Sequence, residues 1–267
     1  MNAPDKMLLP DVQSHLDERN IAINRVGVRA ITHPIIVDTP NGPMPSVAHI
    51  DMSVYLPGDV KGTHMSRFLE VLQQCGDSLG YETGLYMMSV MLDRLESKSG
   101  TITMRFPYFV RKTAPISGVQ SLMDYQVTID IDSNGGRTDY WLTVLVPVTS
   151  LCPCSKKISD YGAHNQRSHI TMKVQLLEPM RIEELITIAE RSASCELWGL
   201  LKRPDEKYVT EKAYENPKFV EDLVRDLAIA LNADRRVGRY RVESENFESI
   251  HNHSAVAWIE GNKAPAA

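Results

Sequence analysis

The first half of the chain begins and ends with segments that alternate apolar and polar residues. Residues 25–37 and 46–57 are rich in β-branched side chains, and the turn signal Asn41–Pro43 separates them. Residues 101–110 and 125–132 alternate in the same way. Because a period of two divides side chains between the two faces of a strand, the pattern predicts four strands.

Between these strands, two segments carry apolar residues at helical spacing instead. Residues 64–74 bring Phe68, Leu69 and Leu72 to one side, and residues 81–97 repeat the spacing. Helices are therefore predicted at both segments. The first half of the chain is expected to fold in the order ββααββ.

The second half repeats this order after the hairpin signal Ser133–Gly136. Strand and helix patterns follow at residues 138–148, 169–177, 181–194, 216–232, 238–244 and 253–261. In the helix predicted at residues 216–232, Asn216 is the expected N-cap, Pro217 suits the first helical position and Phe219 opens the apolar stripe.

The repeated order predicts an α+β fold with two similar modules in tandem. We expect an N-terminal arm at residues 1–24, a first module at residues 25–134 and a second module at residues 135–267. The antiparallel sheets would leave unpaired edge strands, which pair readily with other chains. Closure into barrels with partner subunits is therefore expected.

Composition and charge narrow the range of functions. The 267 residues carry a formal net charge of -5 with a pI of about 5.9, so there is no general attraction to nucleic acid or to an anionic membrane. No run of about 18 apolar residues occurs, and the first residues lack the apolar core of a secretory signal. We expect a cytoplasmic protein whose four cysteines stay reduced.

The segment between Leu151 and Ile170 concentrates residues that are able to bind a metal or act as nucleophiles. Cys152 and Cys154 flank one proline, a spacing that forms neither a Cys-x-x-Cys redox pair nor half of a zinc ribbon. One cysteine acting alone is the functional interpretation, and a small buried side chain is the structural alternative.

Three more side chains of this segment have functional interpretations. His164 and His169 are candidate metal donors, although a metal needs further donors from other segments, and each is otherwise an ordinary hydrogen-bonded histidine. Arg167 offers a planar donor fork that suits phosphate, with a surface charge as the alternative.

Two further clusters lie elsewhere in the chain. Glu248, His251 and His253 precede the last predicted strand, and a carboxylate beside imidazoles suits general acid–base catalysis, a polar turn being the alternative. The entry to the first helix has side chains that suit an anionic group or a solvated helix start, namely Lys61, His64, Ser66 and Arg67. Glu206 and Glu221, taken singly, are surface charges.

Several of these motifs together resemble the type IB GTP cyclohydrolases. The likeness covers most of the chain beyond its N-terminal segment and rests on LCPCSK, YGAHNQRSH, KGTHMSRF, NPKFVED and NFESIHNH. It implies the tunnelling fold, with two tandem modules in each chain, and a homotetramer with sites between subunits. It also implies conversion of GTP to 7,8-dihydroneopterin triphosphate with release of formate, the first step toward folate and related pterins.

The resemblance further implies a divalent metal and its ligands. Cys152, His164 and Glu206 correspond to the ligand set, with Cys154 as the alternative to Cys152. A mixed set of sulfur, nitrogen and oxygen donors suits zinc, manganese or iron. The metal would lower the pKa of a bound water that attacks C8 of guanine, which makes Cys152 part of the catalytic group as well.

Roles toward the substrate follow from the same resemblance. Glu221 is expected to accept two N–H bonds from the guanine base, and Glu248 and His251 are expected to move protons. The residues expected to bind the triphosphate, across a subunit boundary, are Lys61, His64, Ser66, Arg67 and Arg167. The resemblance leaves the roles of His169 and His253 open.

Two other functions fit parts of the pattern. A related tunnelling-fold enzyme of the nitrile reductase type would use a nucleophilic cysteine with NADPH and no metal. A non-catalytic, nucleotide-binding oligomer would hold a structural metal with four protein ligands and no open position. The combination of Cys152, His164 and Glu206 with the basic cluster favours the cyclohydrolase.

Overall fold

A computed structural model describes residue 13 and residues 15–263 of the chain. Its strands are β1 (Ile23–Thr39), β2 (Gly42–Leu56), β3 (Ser78–Leu79), β4 (Ser99–Thr113), β5 (Gln120–Asn134), β6 (Arg137–Leu151), β7 (Asn165–Leu176), β8 (Cys195–Glu196), β9 (Val237–Asn246) and β10 (Ala255–Asn262). Its helices are α1 (Met65–Cys75), α2 (Tyr81–Arg94), α3 (Pro153–Ile158), α4 (Ile182–Ser192), α5 (Arg203–Glu215) and α6 (Val220–Ala233). Residues 1–12 and 14, most of the predicted arm, lie outside the described residues.

The ten described strands form one sheet in the order β10-β9-β7-β6-β5-β4-β2-β1-β3, with β8 paired to β6. Long neighbouring strands are antiparallel, and the short β3 is parallel to β1. Strands β5 and β6 join the two halves of the chain into a continuous sheet. Their hairpin turns through Gly135 and Gly136, whose φ angles of 58° and 88° are those that favour glycine in tight hairpins.

One face of the sheet packs against the helices and forms the hydrophobic core. The predicted inward set of β4, Ile102, Met104 and Phe106, is buried as expected, and β5, β6 and β7 contribute alternate residues in the same way. Helix α2 approaches the sheet so closely at Gly84 that a Cβ there would lie 2.8 Å from Cδ1 of Ile131. The tunnelling-fold class predicted from the sequence is consistent with this arrangement.

The opposite face of the sheet carries charged side chains that pair across strands. The ring of Trp141 lies between two cations, with Nζ of Lys173 5.4 Å and the guanidinium carbon of Arg239 4.9 Å from its centroid. Arg239 also forms an ion pair of 2.6 Å with Asp139. Charged side chains with long apolar stems tolerate contact with water. The sheet therefore has one apolar face, packed against the helices, and one charged face.

The predicted start of the last helix is wrong. Asn216 ends α5 as its C-cap, and its side-chain amide donates to the carbonyl oxygen of Ala193 at 2.9 Å. Helix α6 begins at Val220 instead, where the Asp222 carboxylate accepts the main-chain N–H of Phe219 at 3.1 Å. An Asp side chain three positions after the N-cap therefore replaces the predicted Asn cap.

Helix α5 was not predicted because its sequence lacks an apolar stripe. Its buried residues are Asp205 and Ala213, which periodicity does not reveal. Two residues predicted for apolar stripes, Leu69 and Phe219, are instead exposed by 48% and 40%. Within the described part of the chain, no helix is long and apolar enough to cross a membrane.

Candidate active site

A cleft of about 340 Å³ opens at the end of the sheet where β6 and β9 finish and β7 and β10 begin. The register Leu151↔Asn165 and Asn246↔Ala255 brings these four strand ends together. Helix α6 is attached to the same place, because the main-chain N–H of Lys218 donates to the carbonyl oxygen of Leu151 at 3.1 Å. The side chains lining the cleft are those of Cys152, Pro153, Gln166, Lys218, Phe219, Val220, Glu221, Asn246, Glu248, His251, His253 and Ala255.

Cys152 enters the cleft from the end of β6. It is the N-cap of α3, with Pro153 at the first helical position, and its sulfur accepts the N–H of Ser155 at 3.5 Å. The side chain is partly buried, whereas Cys154 is exposed on α3 and does not line the cleft. Of the two cysteines that the sequence left open, Cys152 is the one positioned at the cleft.

Glu221 reaches the cleft from the first turn of α6. The turn is fixed by the Asp222 cap described above and by an ion pair of 2.6 Å between Lys218 and Asp226. Glu221 and Glu248 therefore reach the same cleft from different elements.

Glu248, His251 and His253 come from the connection between β9 and β10. The strand predicted from residue 253 begins only at Ala255, so neither histidine lies on a strand, yet their rings stack with centroids 5.1 Å apart. The Glu248 carboxylate accepts a hydrogen bond of 3.1 Å from the side-chain amide of Gln166. A carboxylate and two imidazoles thus share one cleft with a thiol and a second carboxylate.

His164 lies beside the cleft rather than in its wall. Its carbonyl oxygen accepts the N–H of Cys152 at 3.2 Å, and its Nδ1 is 3.1 Å from the hydroxyl of Ser249. Two of the three metal ligands implied by the resemblance, Cys152 and His164, are therefore neighbours. Both offer donor atoms that zinc and similar metals accept.

Glu206, the third implied ligand, is not brought to this cleft. It is exposed on the first turn of α5, next to Asp205, whose buried carboxylate accepts the N–H groups of Ile116 and Ser117 at 2.9 and 2.8 Å. Among residue 13 and residues 15–263, no three His, Cys, Asp or Glu side chains meet closely enough to hold a metal. The described chain by itself does not assemble a complete ligand set.

The basic residues expected to bind a triphosphate also lie away from the cleft. Lys61, His64, Ser66 and Arg67 surround the start of α1 in the other half of the sheet, and Arg67 donates to the carbonyl oxygen of Arg94 at 2.9 Å. None of these residues lines the cleft that contains Cys152.

Arg167 occupies the other face of β7 from Gln166, since successive side chains of a strand point to opposite faces. It lines a separate cleft of about 420 Å³ together with His169 and Trp198. The ring of His169 meets that of Phe247 edge-on at 4.8 Å between centroids. Burial lowers the pKa of His169, Glu245 opposes that shift, and Arg167 adds to it.

Gln166 is a cleft residue that the sequence motifs did not single out. The alternation of β7 puts it on the same face as Ile170 and Met172, so a buried amide was recoverable from the pattern. Polar side chains buried on the same face as apolar ones, as Gln166 and Ser168 are, signal a function or a hydrogen-bonded network. In the motif YGAHNQRSH, the candidate residues predicted from the sequence are instead His164 and Arg167, the neighbours of Gln166.

A family model described as type I GTP cyclohydrolase folE2 matches residues 9–257 of the chain. The chain belongs to this family. It is 60% identical over 261 residues to GTP cyclohydrolase FolE2 of Burkholderia ambifaria (strain MC40-6), with 97% of each chain covered. It is 58% identical over 256 residues to GTP cyclohydrolase FolE2 2 of Cupriavidus metallidurans, with 96% of each covered. The family predicted from the sequence motifs is confirmed.

Solved structures resemble this FolE2 family member in fold alone. Uricase from Arthrobacter globiformis superposes with a TM-score of 0.53 at 7% identity, covering 91% of this chain and 96% of that one. Urate oxidase from Bacillus sp. TB-90 gives a TM-score of 0.50 at 9% identity, covering 90% and 100%. These are tunnelling-fold proteins, so the predicted α+β tunnelling fold is confirmed. The family assignment also favours the cyclohydrolase over the nitrile reductase and the non-catalytic oligomer.

Proposed function

We propose that this chain is a GTP cyclohydrolase that converts GTP and water to 7,8-dihydroneopterin triphosphate and formate, the first step of pterin and folate biosynthesis. The observation that carries the proposal is the convergence of Cys152, Glu221, Glu248 and His251 in one cleft of a FolE2 family member. These residues come from three separate parts of the chain, namely the end of β6, the first turn of α6 and the connection between β9 and β10, so their meeting is a property of the fold. A carboxylate and an imidazole are groups of the kind that acid–base steps in the hydrolysis of a purine ring use, which supports the proposal.

Glu221 is proposed to recognise the guanine base. A carboxylate accepts two parallel N–H bonds, which guanine supplies from N1 and its exocyclic amine. Adenine has no proton at N1, so it would leave the carboxylate without one partner. Glu221 lines the cleft from α6, together with the residues proposed to act on the ring.

Glu248 and His251 are proposed to transfer protons during ring opening, sugar rearrangement and ring closure. Both line the cleft, and imidazole and carboxylate are among the commonest general acids and bases. His253 stacks on His251 and would restrict the orientation of its ring.

Cys152 and His164, with Glu206, are proposed to bind a divalent metal, either zinc, manganese or iron. When bound, such a metal would supply a water of lowered pKa for attack on guanine C8 and for the deformylation that follows. Cys152 and His164 are adjacent in one chain, whereas Glu206 is not, so completion of the set requires movement of α5 or a donor from another copy. Cys152 and His164, whose main chains are hydrogen-bonded, are therefore proposed as the ligands that one chain contributes.

The triphosphate is proposed to bind basic residues of a second chain in a homotetramer. Arg167 and Arg67 lie outside the Cys152 cleft of their own chain, and β10 and most of β1 lie at sheet edges to which a partner can add. Barrel closure by such pairing would bring one copy's basic residues to another's cleft. A cytoplasmic location completes the proposal, since it keeps the thiols reduced.

The activity is tested by supplying GTP to purified protein loaded separately with zinc, manganese and iron. Formate and a pterin made fluorescent by oxidation should appear together, in equal amounts, and ATP should give neither. If neither product forms from GTP with any of the three metals, the proposed function is contradicted. A Cys152→Ala variant, prepared in the same way, is the control for contaminating enzyme.

The contribution of two chains to one site is tested by mixing inactive variants. Cys152→Ala and Arg167→Ala chains, unfolded and refolded together, should regain activity because some sites combine an intact Cys152 with an intact Arg167. If the two kinds of chain assemble at random in equal amounts, about a quarter of the sites should contain both an intact Cys152 and an intact Arg167. Activity that stays at the level of the separate variants would show that both residues act within one chain.

A further inference from the structure

Gln166 makes a directed contact with one of the proposed proton carriers. Its side chain is 8% exposed, lines the cleft, and donates from Nε2 to Oε1 of Glu248 over 3.1 Å. Strand β7, which carries Gln166, is paired on both sides, with β6 and with β9. The amide therefore stands on a rigid element, whereas Glu248 stands on a connection.

The orientation of the Gln166 side-chain amide leaves its oxygen unpaired among the described residues, and this unfavourable feature indicates the role of the residue. Its Oε1 is buried and has no hydrogen-bond partner within the described part of the chain. Leaving a buried acceptor unpaired is unfavourable. Turning the amide over would place Oε1 against the carboxylate oxygen of Glu248, two acceptors facing each other. The observed orientation keeps the hydrogen bond from Nε2 to Glu248 and leaves Oε1 of Gln166 without a partner in the described part of the chain.

The surroundings of Gln166 are polar rather than apolar. Ser150, its partner across β6, is hydrogen-bonded to Ser168, and Ser244 donates to Asn246 at 3.3 Å on β9. All four are 3% exposed or less, so Gln166 adjoins a buried polar layer, of which Asn246 also lines the cleft. The same strands are filled by apolar residues farther from the cleft. Buried polar layers of this kind fix side-chain positions.

We propose that Gln166 is a positioning residue, which holds the Glu248 carboxylate in the rotamer that faces the substrate. This inference rests on the proposed function, because it assigns Glu248 a part in proton transfer. Gln166 acts on the reaction through Glu248 and does not itself touch the base, since its free oxygen is buried in the cleft wall.

The test compares two glutamines of the same strand. Gln166→Met removes the donor and keeps the length of the side chain, so kcat should fall about 10- to 100-fold while KM for GTP changes by less than about threefold. Gln175→Met is the matched control: Gln175 is 3% exposed on β7, and its Nε2 donates to Asp139 at 2.8 Å, far from the cleft. This control should lower the melting temperature and leave kcat unchanged.

A double-variant cycle shows whether Gln166 acts through Glu248. In a Glu248→Gln background, Gln166→Met should change kcat by less than about twofold, because the carboxylate to be positioned is gone. The inference is overturned if the double variant loses kcat by the product of the two single-variant factors, or if Gln166→Met keeps the full kcat. If Gln166→Met does not fold, Gln166→Glu replaces it, with the same expected loss in kcat. Absence of product from the wild-type chain overturns the proposed function and this inference with it.

Discussion

The main-chain N–H of Cys152 donates to the carbonyl oxygen of His164 over 3.2 Å. This bond joins the two ends of the connection between β6 and β7, so Cys152, which lines the cleft, and His164, which lies beside it, are neighbours. Cys154 lies on the exposed side of α3 and takes no part in the contact. The geometry therefore distinguishes two cysteines that are separated by a single proline.

We expect Cys152→Ala to reduce turnover of GTP by roughly 100-fold or more and to lose bound metal, since the thiolate is proposed as a ligand. Metal content by elemental analysis and initial rates are measured on the same sample. Cys154→Ala is the control and should keep both. Loss of metal in Cys154→Ala, with retention in Cys152→Ala, would show that the assignment is reversed.

Glu221→Gln should raise KM for GTP about 10- to 100-fold, because the amide offers only one acceptor to two guanine N–H groups. Metal content should stay unchanged. Asp222→Ala, one residue along the same turn, should instead lower stability by about 1 kcal/mol through loss of the helix cap. An unchanged KM in Glu221→Gln would remove the residue from base recognition.

His251→Asn should lower kcat by about 10²- to 10⁴-fold, as expected for loss of a general acid or base. His253→Asn removes the stacked neighbour and should have a smaller effect on kcat. Steady-state kinetics of both variants at saturating GTP provides the comparison. A larger loss in His253→Asn would exchange the two roles.

The Arg236 guanidinium connects α4 to the turn before β9. It is 2.8 Å from Glu184 and 2.7 Å from Asp234, and these contacts lower the pKa of both carboxyl groups. Arg236→Gln should cost about 1 kcal/mol at neutral pH, because the groups are partly exposed. Carboxyl groups with a lowered pKa stabilise the fold above their unfolded pKa, and this contribution is lost as pH falls through the folded pKa.

The difference in melting temperature between wild type and Arg236→Gln should therefore be constant near pH 7 and shrink as pH falls below about 4. Thermal unfolding followed by circular dichroism across this range measures it. Lys207, which pairs with Glu211 on the surface of α5, provides a control in Lys207→Gln that should show little effect at any pH. A difference that grows in acid would contradict the proposed linkage.

The spacing of hydrophobic residues along the chain was sufficient to predict the long strands and four of the helices. The alternation at β4, β5 and β7 depends on local backbone geometry, which the sequence records directly. It failed at α5, whose buried residues are Asp205 and Ala213, and at the start of α6, where Asp222 caps the helix rather than Asn216. In both places the outcome depends on what the segment packs against.

The sequence by itself therefore determined the family, the α+β class and the candidate residue types, because motif chemistry and periodicity are local. Only the tertiary structure decided which of those residues meet. Strand register brings Cys152, Glu248 and His251 together with Glu221, whereas Glu206 and Arg167 lie elsewhere in the chain. Contacts between residues so far apart in sequence depend on the pairing of β6, β7, β9 and β10 and on the docking of α6, which no local pattern specifies.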